Sequence, residues 1–280
     1  MKTQLLRLFF SILGGALAGC ASVAPSSAPV RPVASAGGRY WKAPPLPAGH
    51  YTYVIVHGAW GGGWAFRQVD SLLTADGHKV FRPTLTGQGE KVHLATPDTN
   101  LTTHITDIVN VILWEDLHDV VLVGHSYGGM VITGVADRVP DRIKHIIYLD
   151  AALPVDGESF NTALGGPARP SVGGFIPASG VTASTPIPHD VPHPAKTLSE
   201  PISLQHQDAV NKIPTTYVLF HAADRPLESA QFYKFYQRAQ ARGWTMLSLV
   251  TDHNAQWSHP AELVELLERA PAAPPAGPRP

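Results

Sequence analysis

One short segment constrains the fold more than any other part of the chain. Val120 to Gly128 read VVLVGHSYG, an apolar, β-branched run that ends abruptly in a glycine-rich turn. Gly124 and Gly128 stand two residues before and two after Ser126, where larger side chains would collide in a sharp strand-to-helix turn. The apolar run predicts a buried parallel strand, and Met130 to Val139 predict the helix that follows it. The pattern therefore makes Ser126 a candidate nucleophile.

Apolar strands alternate with amphipathic helices along most of the chain. The predicted strands are residues 51–57, 79–81, 120–123, 143–149, 216–220 and 244–250, and the predicted helices are residues 64–75, 101–117, 130–139 and 229–241, with a last helix opened by Pro260. This order predicts an α/β fold with a mostly parallel sheet flanked by helices. A Pro- and Gly-rich insert at about 153–212 interrupts this alternation. It comes after the strand that follows the Ser126 turn, which is called the elbow below. We expect it to form a cap over Ser126; the alternative is a surface excursion without contact to the site.

The N-terminal residues predict export from the cytoplasm. Lys2 and Arg7 precede an apolar stretch that is too short to span a bilayer, which is typical of a signal peptide over residues 1–19. The following Leu17-Ala18-Gly19-Cys20 resembles the lipobox of bacterial lipoproteins, and Cys20 is the only cysteine of the chain. Acylation of Cys20 would anchor the protein to a membrane face of the bacterial cell envelope. The alternative is a plain signal peptide and a secreted or periplasmic soluble protein.

Composition separates the folded part from two other segments. Residues 20–47 are rich in Pro, Ala, Ser and Gly and predict a flexible linker, and residues 271–280 predict a disordered tail. The remaining residues, 48–270, are enough for one α/β domain. The formal net charge of −1 gives no basic surface for nucleic acid. The histidines show no H-E-x-x-H spacing, so no metal ion and no cofactor are expected.

A serine nucleophile needs a base of near-neutral pKa and an acid that orients the base. After such an elbow the order along the chain is serine, then Asp or Glu, then histidine, each in a loop at the carboxyl end of a strand. Asp224 and His253 fit this order and are the predicted acid and base. Asp150, which ends the strand after the elbow, is the rival for the acid. His259 is a weaker alternative for the base.

Two backbone N–H groups are expected to stabilise the oxyanion of an acyl-transfer reaction. One is the N–H of Tyr127, the residue after the nucleophile. The other is predicted at Ala59, in the glycine-rich loop HGAWGGGW that follows the first strand. No lysine follows this loop in a phosphate-binding arrangement, so nucleotide binding is not expected. Trp60 and Trp257 are candidates for an apolar or aromatic substrate site, although either residue can equally belong to the core.

With these motifs assembled, the chain resembles the α/β-hydrolases, in particular the subgroup of plant methylsalicylate esterases, hydroxynitrile lyases and bacterial esterases that include pyrethroid hydrolases. The marks of the resemblance are VIVHGAWGGGW, PTLTGQGEKVHL, VVLVGHSYGGMVI, YLDAALPVDGES, PHPAKTLSEPISL and DHNAQWSHPAEL. The resemblance implies a triad of Ser126, Asp224 and His253, with Ala59 and Tyr127 as oxyanion donors. It also implies hydrolysis of small carboxylic esters without a cofactor.

The same subgroup contains C–C lyases, so the fold does not decide the reaction. The lyases resemble one another in a threonine after the first motif histidine and a lysine after the catalytic histidine, which stabilises cyanide. Here these positions are Gly58 and Asn254, which favours ester hydrolysis. The other alternative is a protein of this fold that binds a small ligand without turning it over, and an apparently complete triad argues against it.

Overall fold

The computed structural model describes residues 46–272. The predicted signal peptide, Cys20, nearly all of the predicted linker and most of the predicted tail lie outside these residues. Within the described span, no helix has both the length and the apolar character needed to cross a membrane.

Within residues 46–272, eight strands form two sheets. They are β1 (Thr52–Val56), β2 (Lys79–Phe81), β3 (Val120–His125), β4 (Ile143–Leu149), β5 (Phe175–Ile176), β6 (His193–Pro194), β7 (Thr215–His221) and β8 (Thr245–Val250). The main sheet has the order β2-β1-β3-β4-β7-β8, and all its neighbouring strands are parallel. The short β5 and β6 pair with each other in an antiparallel ribbon. The α/β fold predicted from the alternating pattern is therefore confirmed.

Nine α-helices connect and cover these strands. They are α1 (Arg67–Ala75), α2 (Leu101–Trp114), α3 (Gly128–Arg138), α4 (Phe160–Leu164), α5 (Lys196–Ser199), α6 (Gln207–Val210), α7 (Tyr233–Ala241), α8 (Ala255–Ser258) and α9 (Pro260–Ala272) in the described part of the chain. Two of them begin later than the pattern predicts. Residues 63–66 form a 3-10 turn ahead of α1, and residues 227–229 form another ahead of α7.

The alternation of side chains along β3 explains why the sheet is covered on both faces. Val120 and Leu122 pack into the core beneath α2 and α3, whereas Val121 and Val123 pack on the opposite face against α1 and α9. All four side chains are fully buried. Burial of each apolar side chain of this size contributes about 1.5–3 kcal/mol, so a strand that is apolar at every position requires cover on both sides.

The sheet order determines which loops meet. In parallel sheets, ligands bind in the crevice beyond the carboxyl ends of the strands. Here the carboxyl ends of β3, β4, β7 and β8 lie side by side, and they lead into Ser126, Asp150, the loop with Asp224, and the loop with His253. Residues 153–212, called the cap segment below, connect β4 to β7 and contain α4, β5, β6, α5 and α6.

Candidate active site

Ser126 occupies a strained turn between β3 and α3. Its φ is +55°, in the left-handed region that non-glycine residues rarely adopt. A Cβ atom on Gly124 would lie 2.8 Å from the Gly128 carbonyl oxygen, and one on Gly128 would lie 2.6 Å from the Val56 carbonyl oxygen. The Ser126 N–H donates to the Leu149 carbonyl at 3.2 Å, which ties the turn to β4. This is the strand-to-helix turn that the segment GHSYG predicts.

His253 lies in the loop after β8 and is held from three sides. Its Nδ1–H donates to Asp150 Oδ2 at 2.6 Å. Its ring stacks on Phe232, with centroids 5.2 Å apart and planes 3° apart. His125, the neighbour of Ser126, donates from Nε2 to the His253 carbonyl at 2.8 Å, and its ring centroid lies 4.6 Å from that of His253. Because Nδ1 carries the proton, Nε2 of the neutral ring is an unprotonated base.

The partner of His253 is Asp150, and the prediction of Asp224 for this position is corrected. β7 ends at His221, and the residues that follow, with Asp224 among them, turn out into solvent. Asp150 follows β4 with φ of +40°, and its carboxylate is buried beside the end of β7, where Oδ1 accepts from the Phe220 N–H at 3.3 Å. The loop that carries His253 reaches back across β7 to this carboxylate.

Ser126 and His253 lie at the same edge of the sheet, and His125, the residue before Ser126, is hydrogen-bonded to the backbone of His253. Within residues 46–272, no hydrogen bond joins the Ser126 hydroxyl to the imidazole of His253. Catalytic hydrogen bonds are often long in enzymes without substrate and tighten when substrate binds. The structure therefore fixes the orientation of the His253 ring beside the turn that carries Ser126.

The loop after β1 presents the Ala59 N–H beside the elbow. His57 accepts from the Leu85 N–H at its Nε2 (3.1 Å), so its Nδ1–H donates to the Gly58 carbonyl (2.7 Å). The Gly58 carbonyl and the Ala59 N–H belong to one planar peptide unit, so this hydrogen bond fixes the direction of the Ala59 N–H. A Cβ on Gly58 would lie 3.1 Å from the Ser126 Cβ, which shows how closely the loop approaches the serine.

Tyr127 supplies the second candidate donor at the start of α3. Its backbone N–H stands at the N-cap of the helix, where the helix dipole favours negative charge. In the described part of the chain, neither this N–H nor that of Ala59 donates an intramolecular hydrogen bond. The buried phenol of Tyr127 donates to His104 Nδ1 at 3.0 Å, and His104 Nε2–H donates to the Thr86 carbonyl at 2.9 Å. The side chain is thereby fixed from the side of α2.

The two tryptophans predicted for substrate binding have different surroundings. Trp60 follows Ala59 directly, and its ring lies 5.6 Å from that of His193 in the cap segment. Trp257 is in α8, where its ring stacks on Trp64 at 5.7 Å and its Nε1–H donates to the Ala65 carbonyl at 2.9 Å. Trp60 thus lies in the same loop as Ala59, next to the cap segment, whereas Trp257 packs where α8 meets the 3-10 turn before α1.

Sequence reasoning missed a set of buried histidines around these residues. Burial lowers the pKa of His57 and His104 to about 4, and it lowers the pKa of His125 and His193 well below the ordinary value of 6.5. All four are therefore neutral at pH 7, each with one N–H donor and one acceptor. Their sequence signal was weak, since only His57 and His125 lie in the glycine-rich motifs.

Comparison with known proteins agrees with the fold. Residues 53–266 match the model of the alpha/beta hydrolase family. The chain belongs to this family. The α/β-hydrolase is 36% identical over 239 residues to a carbendazim hydrolyzing esterase of a Nocardioides species, a match that covers 77% of this chain and 97% of the relative. It is 37% identical over 106 residues to a pyrethroid hydrolase of Sphingobium wenxiniae, and this match covers 37% of each chain.

Solved structures support the fold of this α/β-hydrolase. An extracellular alpha/beta-hydrolase from a Paenibacillus species superposes with a TM-score of 0.64 at 24% identity, over 79% of this chain and 98% of that chain. A methylesterase from Arabidopsis superposes with a TM-score of 0.61 at 22% identity, over 79% of this chain and 99% of that chain. The resemblance predicted from the motifs is thus confirmed at the level of family and fold.

The buried histidines predict a pH-dependent stability. The unfolded chain takes up protons on these rings near pH 6.5, whereas burial lowers the pKa of His57, His104 and His145 to about 4 in the folded chain. The stabilisation is therefore complete above pH 6.5 and is lost as the pH falls toward 4. We expect the free energy of unfolding, measured with urea, to decrease by up to about 1.4 kcal/mol per pH unit for each such histidine.

A matched pair of variants tests whether buried histidines cause this pH dependence of the free energy of unfolding. His145→Gln removes a buried ring that is hydrogen-bonded to Thr216, so it should reduce the slope between pH 6.5 and 4.5. His93→Gln, at an exposed position, should leave the slope unchanged. Equal slopes for both variants and the parent chain would contradict the assignment.

Proposed function

We propose that this α/β-hydrolase is a serine carboxylesterase that hydrolyses small to medium, apolar or aromatic carboxylic esters through an acyl-enzyme. The observation that carries the proposal is His253, oriented by Asp150 and held against the residue that precedes Ser126. The proposal is supported by the Nocardioides relative, which is named for hydrolysis of carbendazim and is similar over nearly its whole length.

The first step follows from the tautomer of His253. Because Nδ1–H is donated to Asp150, Nε2 accepts the Ser126 proton while the serine oxygen attacks the ester carbonyl. The buried carboxylate then stabilises the imidazolium that forms. His253 returns the proton to the leaving alcohol, and the C–O bond of the ester breaks to leave the acyl group on Ser126. Water repeats the sequence and releases the acid.

The tetrahedral intermediate of each step carries negative charge on the former carbonyl oxygen. The N–H groups of Ala59 and Tyr127 are the proposed donors to this oxygen. Trp60 is excluded from this role because its N–H already donates to His193. Loss of one such donor in a characterised enzyme lowers kcat by about 10²- to 10³-fold, so the direction of both groups is as important as their presence.

The first prediction from the proposed function concerns the nucleophile. Ser126→Ala should lower the kcat for p-nitrophenyl acetate by about 10⁶-fold, because the nucleophile is removed while binding and oxyanion stabilisation remain. Stoichiometric labelling of the parent chain by a fluorophosphonate, and none of the variant, should accompany this loss. Ser71→Ala, at an exposed position of α1, is the matched control. Substantial turnover or labelling of the Ser126 variant would refute the serine mechanism.

A panel of esters then narrows the substrate. It includes aryl and alkyl acetates, methyl esters of aromatic acids, a pyrethroid, and carbendazim, because proteins named for such substrates are among the relatives. We expect kcat/KM to rise with the apolar area of the substrate until the cap segment limits its size.

The second prediction distinguishes the two aspartates. Asp150→Asn keeps the shape of the side chain but disfavours the required tautomer of His253, so kcat should fall by roughly 10⁴-fold. Asp224→Asn changes an exposed side chain on the same edge of the sheet and should leave kcat within about twofold. Steady-state kinetics with p-nitrophenyl acetate measure both. The opposite result, with Asp224 essential and Asp150 dispensable, would restore the acid expected from the sequence.

The third prediction concerns location. We propose that acylated Cys20 holds the protein on a membrane face of the cell envelope, which rests on the lipobox-like sequence outside the described residues. Several acyl chains, each stabilised by about 0.8 kcal/mol per buried CH₂, are sufficient for stable anchoring. Cys20→Ala should move the esterase activity from the membrane fraction to the soluble fraction after cell breakage. Retention of the variant in the membrane fraction would overturn the proposal.

A further inference from the structure

The cap segment is hydrogen-bonded through Trp60 to the loop after β1, which also carries Ala59. The Trp60 N–H donates to His193 Nδ1 at 3.2 Å, and its indole Nε1–H donates to the Ile176 carbonyl at 3.2 Å. The Trp60 carbonyl accepts from the Val191 N–H at 2.9 Å. Both backbone groups and the side chain of Trp60 are therefore hydrogen-bonded to the cap segment, although Trp60 itself belongs to the loop after β1.

The backbone of Trp60 requires such support. Its φ is +65°, a left-handed conformation that is unfavourable for a bulky residue. Conformations of this kind are strained and persist only where the surroundings hold them. Because Trp60 follows Ala59 directly, its conformation also sets the orientation of the peptide next to the Ala59 N–H.

His193 is suited to hold this conformation because it is fully buried and neutral. A backbone N–H can only donate, so the contact with Trp60 requires an unprotonated Nδ1. The proton then lies on Nε2, which donates to Thr197 Oγ1 at 2.7 Å, and the Thr197 hydroxyl donates to the Pro194 carbonyl at 2.7 Å. Gln88 Oε1 lies 3.0 Å from the same Nδ1. Because an amide oxygen can only accept, it forms a hydrogen bond there only in the other tautomer, in which Nδ1 carries the proton.

The same ring also contacts the second half of the oxyanion site. Its centroid lies 5.2 Å from that of Tyr127, with the planes at 77°, and 6.1 Å from that of His104. His193 thus touches the residue next to one proposed donor, Ala59, and the residue that carries the other, Tyr127. No other side chain of the cap segment in the described residues has ring contacts to both Trp60 and Tyr127.

We propose that His193 is a positioning residue that couples the seating of the cap segment to the geometry of the oxyanion site. With the cap segment in place, His193 holds Trp60 in its left-handed conformation and fixes the Ala59–Trp60 peptide, so Ala59 is held on this side by His193 and on the other side by the hydrogen bond of His57. When the cap segment moves away, Trp60 loses three hydrogen bonds and the oxyanion site relaxes. The inference rests on the proposed esterase function and assigns to the cap segment a role in the chemical step as well as in shaping the pocket.

The test compares two amides at position 193. The amide of an asparagine occupies the place of Nδ1, so His193→Asn keeps an acceptor for the Trp60 N–H. The amide of a glutamine reaches the place of Nε2, so His193→Gln keeps the contact with Thr197 and leaves the Trp60 N–H unpaired. Since displacing a catalytic group by about 1 Å costs up to about 10²-fold in rate, we expect His193→Gln to lower kcat by about 10- to 100-fold. His193→Asn should remain within about fivefold of the parent kcat.

A positioning role also predicts that the loss of activity falls on kcat and not on KM. His193→Gln should leave KM within about twofold, because the oxyanion forms only in the transition state. Binding of a trifluoromethyl ketone, which forms a hemiketal anion on Ser126, should weaken in proportion to the loss in kcat/KM. Amide hydrogen exchange at Trp60 should accelerate in His193→Gln and stay near the parent rate in His193→Asn.

A second variant keeps the test independent of folding at position 193. Val191→Pro removes the N–H donated to the Trp60 carbonyl and leaves the His193 side chain in place, so it should lower kcat in the same direction. Circular dichroism checks that each variant is folded. Equal losses in the two His193 variants, or a raised KM with unchanged kcat, would overturn the positioning role.

The results that would refute the esterase proposal differ from those that would refute the role of His193. If the parent chain hydrolyses no ester of the panel, or if Ser126→Ala retains activity, the esterase proposal fails. If the parent chain is active and depends on Ser126 while His193→Gln retains the full kcat, only the role of His193 is refuted.

Discussion

The left-handed backbone at Ser126 is the constraint on which the site depends. It exists because Gly128 lets α3 begin against the end of β1, where any Cβ would meet the Val56 carbonyl. This close approach also brings the next residues of the chain after β1 to the serine, so that a Cβ on Gly58 would lie 3.1 Å from the Ser126 Cβ. One steric requirement therefore sets the position of the proposed nucleophile, Ser126, and of the loop that carries Ala59.

Buried neutral histidines orient the groups around that turn. His57 fixes the peptide that ends in the Ala59 N–H, His104 fixes the Tyr127 phenol, and His125 fixes the carbonyl of His253. A neutral imidazole suits this task because it offers one donor and one acceptor in a rigid plane. Burial keeps the rings uncharged, since a charged imidazole would lose its hydration and its acceptor together. His253, the proposed base, is in contrast partly exposed.

The features predictable from the sequence are those that depend on local pattern. The strands follow from β-branched runs, and the elbow follows from the spacing of Gly124 and Gly128 around Ser126, so both are present as predicted. The partner of His253 depends on non-local geometry. Chain order and family resemblance favoured Asp224. In the structure, however, His253 in the loop after β8 bonds to Asp150, because the backbone at Asp150 turns its carboxylate toward the end of β7. The contacts of His193 depend on how an insert with little periodicity folds back onto the sheet, which no local pattern predicts.

The charges around the base favour hydrolysis over cleavage of a cyanohydrin. An alkoxide leaving group is strongly basic and is neutralised by the proton that His253 returns to it, so it needs no further cation. Cyanide is a weaker base and leaves as an anion that needs a positive charge beside it. The residue after His253 is Asn254, whose amide oxygen accepts from Gln256 at 3.2 Å and which carries no charge. The proposed site supplies a proton and two N–H donors and has no cation at that position, which matches the transition state of ester cleavage.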